Sequence, residues 1–411
     1  MAIAKKETLI ALIESMDPAE KRFFTSHYQR RSPGDDDMFY RLFIHISAGG
    51  SPADEEFRRS LGIADSGKMA NLQRHLYGQL LESLRRQHRK RTRTIEVREQ
   101  IDYASLLYAR GLYLQALQLL GKTKILAKSL HLDLHHLLIV EFEKMIESRH
   151  ITRAETKRME RLLAESEERE RVHRSTIRLS NLQLRLQRHF INFGHVGDKA
   201  EADEFADTYR KLLVLAPEVS ATFRERIGVL RGRFWYHYNM LQLKAAADCA
   251  ASWVKEFNEQ TNVRAEDVGL YLKGLDRCLL LSFFRGAKLE HRGQLSHLER
   301  AIIGLPKNQQ AQSTRLLSDF LLLRARLNQM LLDQNDLAQT EQEHARLAQE
   351  IAQCAGVDRH KKQVLYYKLA ALCVRGRRYE IAIDYLNIIL NDSKPLRHDL
   401  TVYSRLLFLF C

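Results

Sequence analysis

The stretch YASLLYARGLYLQALQLL, residues 103–120, decides the fold, and LAALCVRGRRYEIAIDYL, residues 369–386, repeats its pattern. In the first, Tyr103, Ala104 and Leu107 share one predicted helix, Gly111 and Tyr113 mark a turn, and Ala116 and Leu120 lie on the next helix. In the second, Leu369, Ala370 and Cys373 precede Gly376 and Tyr379, and Ala382 and Leu386 follow. Ala104 and Ala116 are twelve positions apart, and so are Ala370 and Ala382. Two antiparallel helices approach closely only where small side chains face one another, while leucines and aromatics fill the remaining volume. Both stretches therefore read as helix, turn, helix.

The rest of the chain keeps the helical period. Apolar residues recur at three and four, as in Met69, Leu72, Leu76, Leu80 and Leu84, and no convincing strand alternation occurs. Pro18, Pro33, Pro52, Pro217, Pro306 and Pro395 stand where such stripes start or stop. Asp17-Pro18-Ala19-Glu20 supplies an N-cap acceptor, a proline at the first helical position and the carboxylate of a capping box. By the same logic Ser51-Pro52-Ala53-Asp54 predicts a helix from residue 52. Further helices are expected near 5–16, 37–48, 99–130, 132–149, 153–193, 199–215, 222–241, 244–258, 266–284, 311–332 and 336–354, with short connections that favour antiparallel neighbours. The charge-rich residues 153–171 read as a solvated helix face carrying no site.

Small residues at a helix crossing and an aromatic at the turn resemble the tetratricopeptide repeat, over residues 97–130 and 363–392. The resemblance implies an all-α fold of helical-hairpin repeats, a tetratricopeptide-like α-solenoid, across residues 96–411. The signature tryptophan is missing, and the terminal proline is replaced by Lys128 in one copy and displaced to Pro395 in the other. Residues 222–258 and 311–354 look like helical pairs of irregular period without the matched alanines. Residues 1–95 read as a small helical N-terminal domain. Its pattern, from Leu9-Ile10 through Met16-Asp17-Pro18-Ala19-Glu20-Lys21-Arg22-Phe23-Phe24 to Leu84-Arg85, resembles uncharacterised bacterial tetratricopeptide proteins, which implies architecture and no chemistry. Residues 399–411, with Val402, Tyr403, Leu406, Leu407, Leu409 and Phe410, read as the first helix of another pair. Because repeat arrays end in polar caps, the natural chain is expected to continue.

With 45% hydrophobic and 28% charged residues in 411, the chain has the balance of a folded protein of several compact units or one repeat array. A net charge of +14 favours an acidic partner, whether nucleic acid, an anionic membrane surface or a protein. Cys249, Cys278, Cys354, Cys373 and Cys411 form no CxxC pair, so reduced thiols are expected. Lys5 and Lys6 precede a short apolar stretch that Glu14 interrupts, which gives no export signal. No run of about 18 apolar residues predicts a membrane span, and the cytoplasm is the default location.

The sharpest local feature is the run from Arg85 to Arg93, in which Arg85, Arg86, Arg89, Lys90, Arg91 and Arg93 are cationic and none is acidic. It follows a stretch, residues 52–84, arranged loosely as a helix, a turn at Gly62-Ile63 and a second helix. His131, Asp133, His135 and His136 are the densest potential metal group, read instead as a loop and helix start with exposed histidines. Arg231-Gly232-Arg233-Phe234-Trp235-Tyr236-His237-Tyr238 interleaves cations with rings that can stack on bases, although helical spacing favours core packing. A phosphate loop, a GxSxG elbow, a supported Cys and His pair and convergent carboxylates are all missing, so a non-enzyme without cofactor or metal is expected. The resemblance implies binding on a concave face. Ile101, Ser105, Tyr367 and Ala371 stand where the chaperone-binding members carry a carboxylate clamp, which this chain therefore lacks. These readings converge on a scaffold that holds a protein, as a peptide or partner helix; the alternative is a nucleic-acid-binding regulator using residues 1–95 and the basic run.

Overall fold

The computed structural model describes residues 6–31, 38–63, 65–89, 92–150, 156–214, 222–305, 312–333, 337–354, 357–392 and 398–411. All regular structure among them is helical. No helix among the described residues is long and apolar enough to cross a membrane. The chain divides into two compact units, Met1–Thr123 and Lys124–Cys411, with the division inside one helix.

The first unit contains α1 (Lys6–Ser15), α2 (Pro18–Arg31), α3 (Met38–Ser47), α4 (Glu55–Ser60), α5 (Ser66–His88), α6 (Arg93–Ala109) and the start of α7 (Tyr113–Ser129). Helices α1, α2 and α3 all pack against α5. The stripe Met69, Leu72, Leu76 and Leu80 that the period predicted is buried there with Leu9, Ile13, Phe24 and Phe43. Asp17 and Glu20 form the predicted capping box: each backbone N–H donates to the other's carboxylate at 2.8 Å. The helix predicted from residue 52 instead begins at Glu55. The Asp54 carboxylate accepts the Ser51 N–H at 2.8 Å and sits 2.9 Å from His45 Nε2, while the Asp54 N–H donates to the Ser51 carbonyl. Those bonds close a turn over Pro52, so the proline serves the turn rather than a first helical position.

The second unit continues α7 and adds α8 (Asp133–His150), α9 (Thr156–Phe193), α10 (Lys199–Val214), α11 (Phe223–Asn239), α12 (Leu243–Glu259) and α13 (Thr261–Glu266). It is completed by α14 (Val268–Phe284), α15 (Lys288–Ile303), α16 (Gln312–Leu332), α17 (Leu337–Gln353), α18 (Arg359–Arg375), α19 (Tyr379–Leu390) and α20 (His398–Phe408). Packing follows chain order: α11 lies against α9 and α12, α14 against α12, α15 and α16, and α18 against α16, α17, α19 and α20. The shared core includes Phe223, Phe257, Leu272, Leu298, Leu327, Leu347, Ile351, Leu365 and Leu369. On α20 Val402, Tyr403 and Leu406 are exposed, and so are Leu409 and Phe410 just after it.

One turn recurs. Gly111, His131, Leu241, Gly286 and Arg377 all have left-handed backbone, with φ of 76°, 50°, 54°, 66° and 60°. In each case the next residue's N–H donates five residues back: Leu112 to Leu107, Leu132 to Ala127, Gln242 to His237, Ala287 to Ser282 and Arg378 to Cys373, at 2.8–3.0 Å. This double bonding satisfies the last carbonyls of one helix and releases the chain into the next, which starts two residues after the left-handed position every time. Glycine occupies only two of these five positions, and in the second repeat match the left-handed residue is Arg377 rather than Gly376.

Measured from the left-handed residue, the crossing lies seven positions before and five after. Ala104 with Ala116 and Ala370 with Ala382 fill it at 0% exposure. In the hairpins at Leu241 and Gly286 the same places hold Phe234 with Ala246 and Leu279 with His291, all buried, and in that at His131 they hold half-buried Lys124 and buried His136. The hairpin therefore persists where the paired alanines do not, with larger side chains filling the interhelical space.

Candidate anion-binding face

The basic run that dominates the sequence is largely neutralised within the first unit. Arg85 lies 3.3 Å from Asp102, Arg86 is 2.5 Å from Glu82, Arg93 is 3.3 Å from Glu96, and Arg89 pairs with Glu99. Lys90 and Arg91 lie outside the described residues. His88, within the run, is 2.6 Å from Glu20 of the capping box. The acids that answer this run come mostly from α6, which the sequence read only as a helix.

The histidine group also resolves differently from expectation. His136 is buried, with Nε2 2.7 Å from Glu165, Asp133 pairs with Arg169, and His131 is the left-handed turn residue. Those histidines are half-buried or buried rather than exposed, because the turn and the helix start pack against α9 and α11. No group of His, Cys, Asp or Glu among the described residues is arranged to hold a metal. Cys373 does meet a histidine, its Sγ lying 3.1 Å from His344 Nε2. Burial pushes that thiol up to about 11, which favours its protonated form.

In the interleaved segment Phe234, Trp235, Tyr236 and Tyr238 are buried, as core packing requires. Arg231 has another role. It shares a cleft of about 410 Å3 with Arg224, Lys273, Asp267, Ser313 and Thr314. From there cations continue along four helices: Arg224 and Arg231 on α11, Lys273 and Arg277 on α14, Arg324 on α16, Lys361 and Lys368 on α18. The spacings within a helix are seven, four and seven, which place each pair on one side of it.

Shared neighbours tie the cations together. Lys273 lies in the field of Arg231, Arg277 and Lys361, and Lys368 in that of Arg324. Arg277 and Arg324 both pair with Asp276, and their side chains keep 22% and 16% exposure, so solvent reaches them. Aromatic rings carry the stems: Arg277 stacks over Trp235 at 5.0 Å, Arg324 and Lys361 over Phe320 at 5.2 and 5.7 Å, and Lys368 over Phe283 at 4.7 Å. Desolvation then lowers the proton affinity of Arg231, Lys273, Arg277 and Arg324, and it pushes Lys368 down to about 7.

Among the described residues of this face the acids paired with Arg224, Arg277 and Arg324 are Asp267 and Asp276, and Asp133 of α8 also lies in the field of Arg224. Asp267 is 2.7 Å from Arg224, and Asp276 is held between two arginines. Gathering uncompensated cations in a partly desolvated place opposes folding, and an anion reverses that cost when it binds. A larger cleft of about 740 Å3 lies beside Arg264, Tyr271, His297 and Arg300, but its polar groups engage one another, as with Tyr271 Oη 3.3 Å from His297 Nε2.

The sequence reading missed this face because its cations are scattered from residue 224 to residue 368 and each looks like ordinary surface charge. The usable signal was the pairing of cations at four or seven on α11, α14 and α18, with Arg324 as the single cation of this face on α16 between them. Comparisons with family models, with curated proteins and with solved structures find no match to the chain.

Proposed function

We propose that this protein is a non-enzymatic interaction module whose hairpins form a tetratricopeptide-like solenoid and whose α11, α14, α16 and α18 bind an extended acidic segment of a partner protein. The carrying observation is the excess of cations over carboxylates along that face. An extended segment offers a side chain to one surface about every 7 Å, which suits discrete cations set on successive helices. Peptide is favoured over single-stranded nucleic acid because Phe234, Trp235 and Phe320 are buried beneath the cations rather than offered as stacking platforms. The recurring hairpin turn supports the repeat reading.

The test is a titration of the full chain with a labelled oligoglutamate peptide and, separately, a single-stranded oligonucleotide. Lys273 and Lys361 are exposed and changed together to Gln; the comparison variant changes Arg85, Arg86, Arg89, Lys90, Arg91 and Arg93 to Gln. The proposal expects peptide binding that weakens about tenfold in the first variant, persists in the second and falls with salt. Preferred binding of the oligonucleotide, abolished in the second variant, would replace it with the regulator reading.

A further inference from the structure

We propose that the cleft between α11, α14 and α16 is a phosphoryl-binding subsite of this face, formed by Arg224, Arg231, Lys273, Ser313 and Thr314, and that it takes a phosphorylated serine of the acidic segment. The inference rests on the acidic-segment reading for the identity of the ligand's source, but the chemistry of the cleft stands by itself. Asp267 is the carboxylate among the described lining residues, and Arg224 at 2.7 Å already answers its charge. Arg231 and Lys273 make no ion pair or hydrogen bond among the described residues, and with Arg224 they share the single negative charge of Asp267, which leaves the cleft with an excess of positive charge.

The geometry suits a tetrahedral dianion better than a carboxylate. Arg231 has its guanidinium 5.7 Å above the Trp253 ring, which holds a flat donor fork in place, whereas Lys273 is exposed and brings a movable point charge. Ser313 and Thr314 add hydroxyl donors from the first turn of α16, a 21-residue helix whose start favours negative charge. A carboxylate carries one charge on two oxygens. A phosphoryl group carries nearly two charges on three acceptor oxygens, and uses both cations and the hydroxyls together. The cleft, about 410 Å3, has room for such a group and the ester arm that joins it to a peptide.

The experiment uses the full chain and three probes: an oligoglutamate peptide, the same peptide with one central phosphoserine, and inorganic phosphate as competitor. The phosphoserine peptide is expected to bind about tenfold tighter than oligoglutamate, and phosphate to displace it. Arg231→Gln and Lys273→Gln should each remove most of that increment. Ser313→Ala with Thr314→Ala should reduce it without touching a charge, which separates recognition from a general loss of positive potential. Lys361→Gln should weaken both peptides alike and leave their ratio intact. Equal affinity for the two peptides overturns the subsite while the acidic-segment reading survives. Binding of inorganic phosphate at the cleft without binding of oligoglutamate supports the subsite and removes that reading. If neither peptide nor phosphate binds, both fail.

Discussion

Arg224 and Arg231 stand two helical turns apart on α11 and line one cleft, yet only Arg224 has a carboxylate, Asp267, at 2.7 Å. Asp267 also caps α14 by accepting the Leu270 N–H at 3.3 Å. Asp267→Asn keeps a capping acceptor and deletes the charge. The variant should bind oligoglutamate or phosphate about threefold to tenfold tighter, with a stability change under about 1 kcal/mol. Anisotropy titration and a denaturant melt on the same sample check both parts, and an unchanged affinity removes Asp267 from the electrostatics of the cleft.

Lys368 gives a pH signature. In the unfolded chain it keeps its proton up to about 10.4, whereas in the folded chain burial, and then the charge of Arg324, push it down to about 7. Between these values the unfolded state binds more protons, so stability rises with pH, by up to about 1.4 kcal/mol per unit from this group. Below that window both states are protonated and the full burial penalty remains. Lys368→Met keeps a side chain against the Phe283 ring without the charge. It should raise stability near pH 7 and flatten the rise towards pH 10, as read from urea midpoints at several pH values. A retained slope would assign the effect elsewhere.

Left-handed backbone costs a branched or long side chain about 1–2 kcal/mol. Leu241, with φ of 54°, is also 54% exposed, so it offers little burial in return. Leu241→Gly should stabilise the protein by about 0.5–1 kcal/mol, and Gly286→Ala should destabilise it by a similar amount. Thermal melts of the two variants should therefore move in opposite directions.

At the crossing of α18 and α19, Ala370 and Ala382 are buried beside Cys373 and Leu386. Ala382→Leu should cost about 1–3 kcal/mol by overpacking. Ala251→Leu on the exposed side of α12 should change stability by less than about 0.5 kcal/mol. Hydrogen exchange should localise the first loss to α18 and α19.

Most helices, the Asp17 capping box and the two alanine crossings were legible because each depends on residues close together in the chain, whereas α13 and α15 were not anticipated. The helix start at residue 52 was misplaced because Asp54 bonds to Ser51 and His45, partners that a local capping rule does not anticipate. The candidate site was hidden for the converse reason. Contiguous cations at 85–93 look like a site until Glu99 and Asp102 arrive from the next helix. Cations at 231, 273, 324 and 368 become a candidate site only through the packing of four helices. His291 likewise hid the hairpin of α14 and α15, whereas the pair at 222–258 was legible without matched alanines.

The recurring hairpin turn is held by main-chain bonds and tolerates Gly, His, Leu and Arg at its left-handed position. No particular letter has to return at the joint for the joint to be made again. Hairpins joined this way can differ at every side chain and still leave the turn along the same path, because the torsion angles and not the letters define the joint.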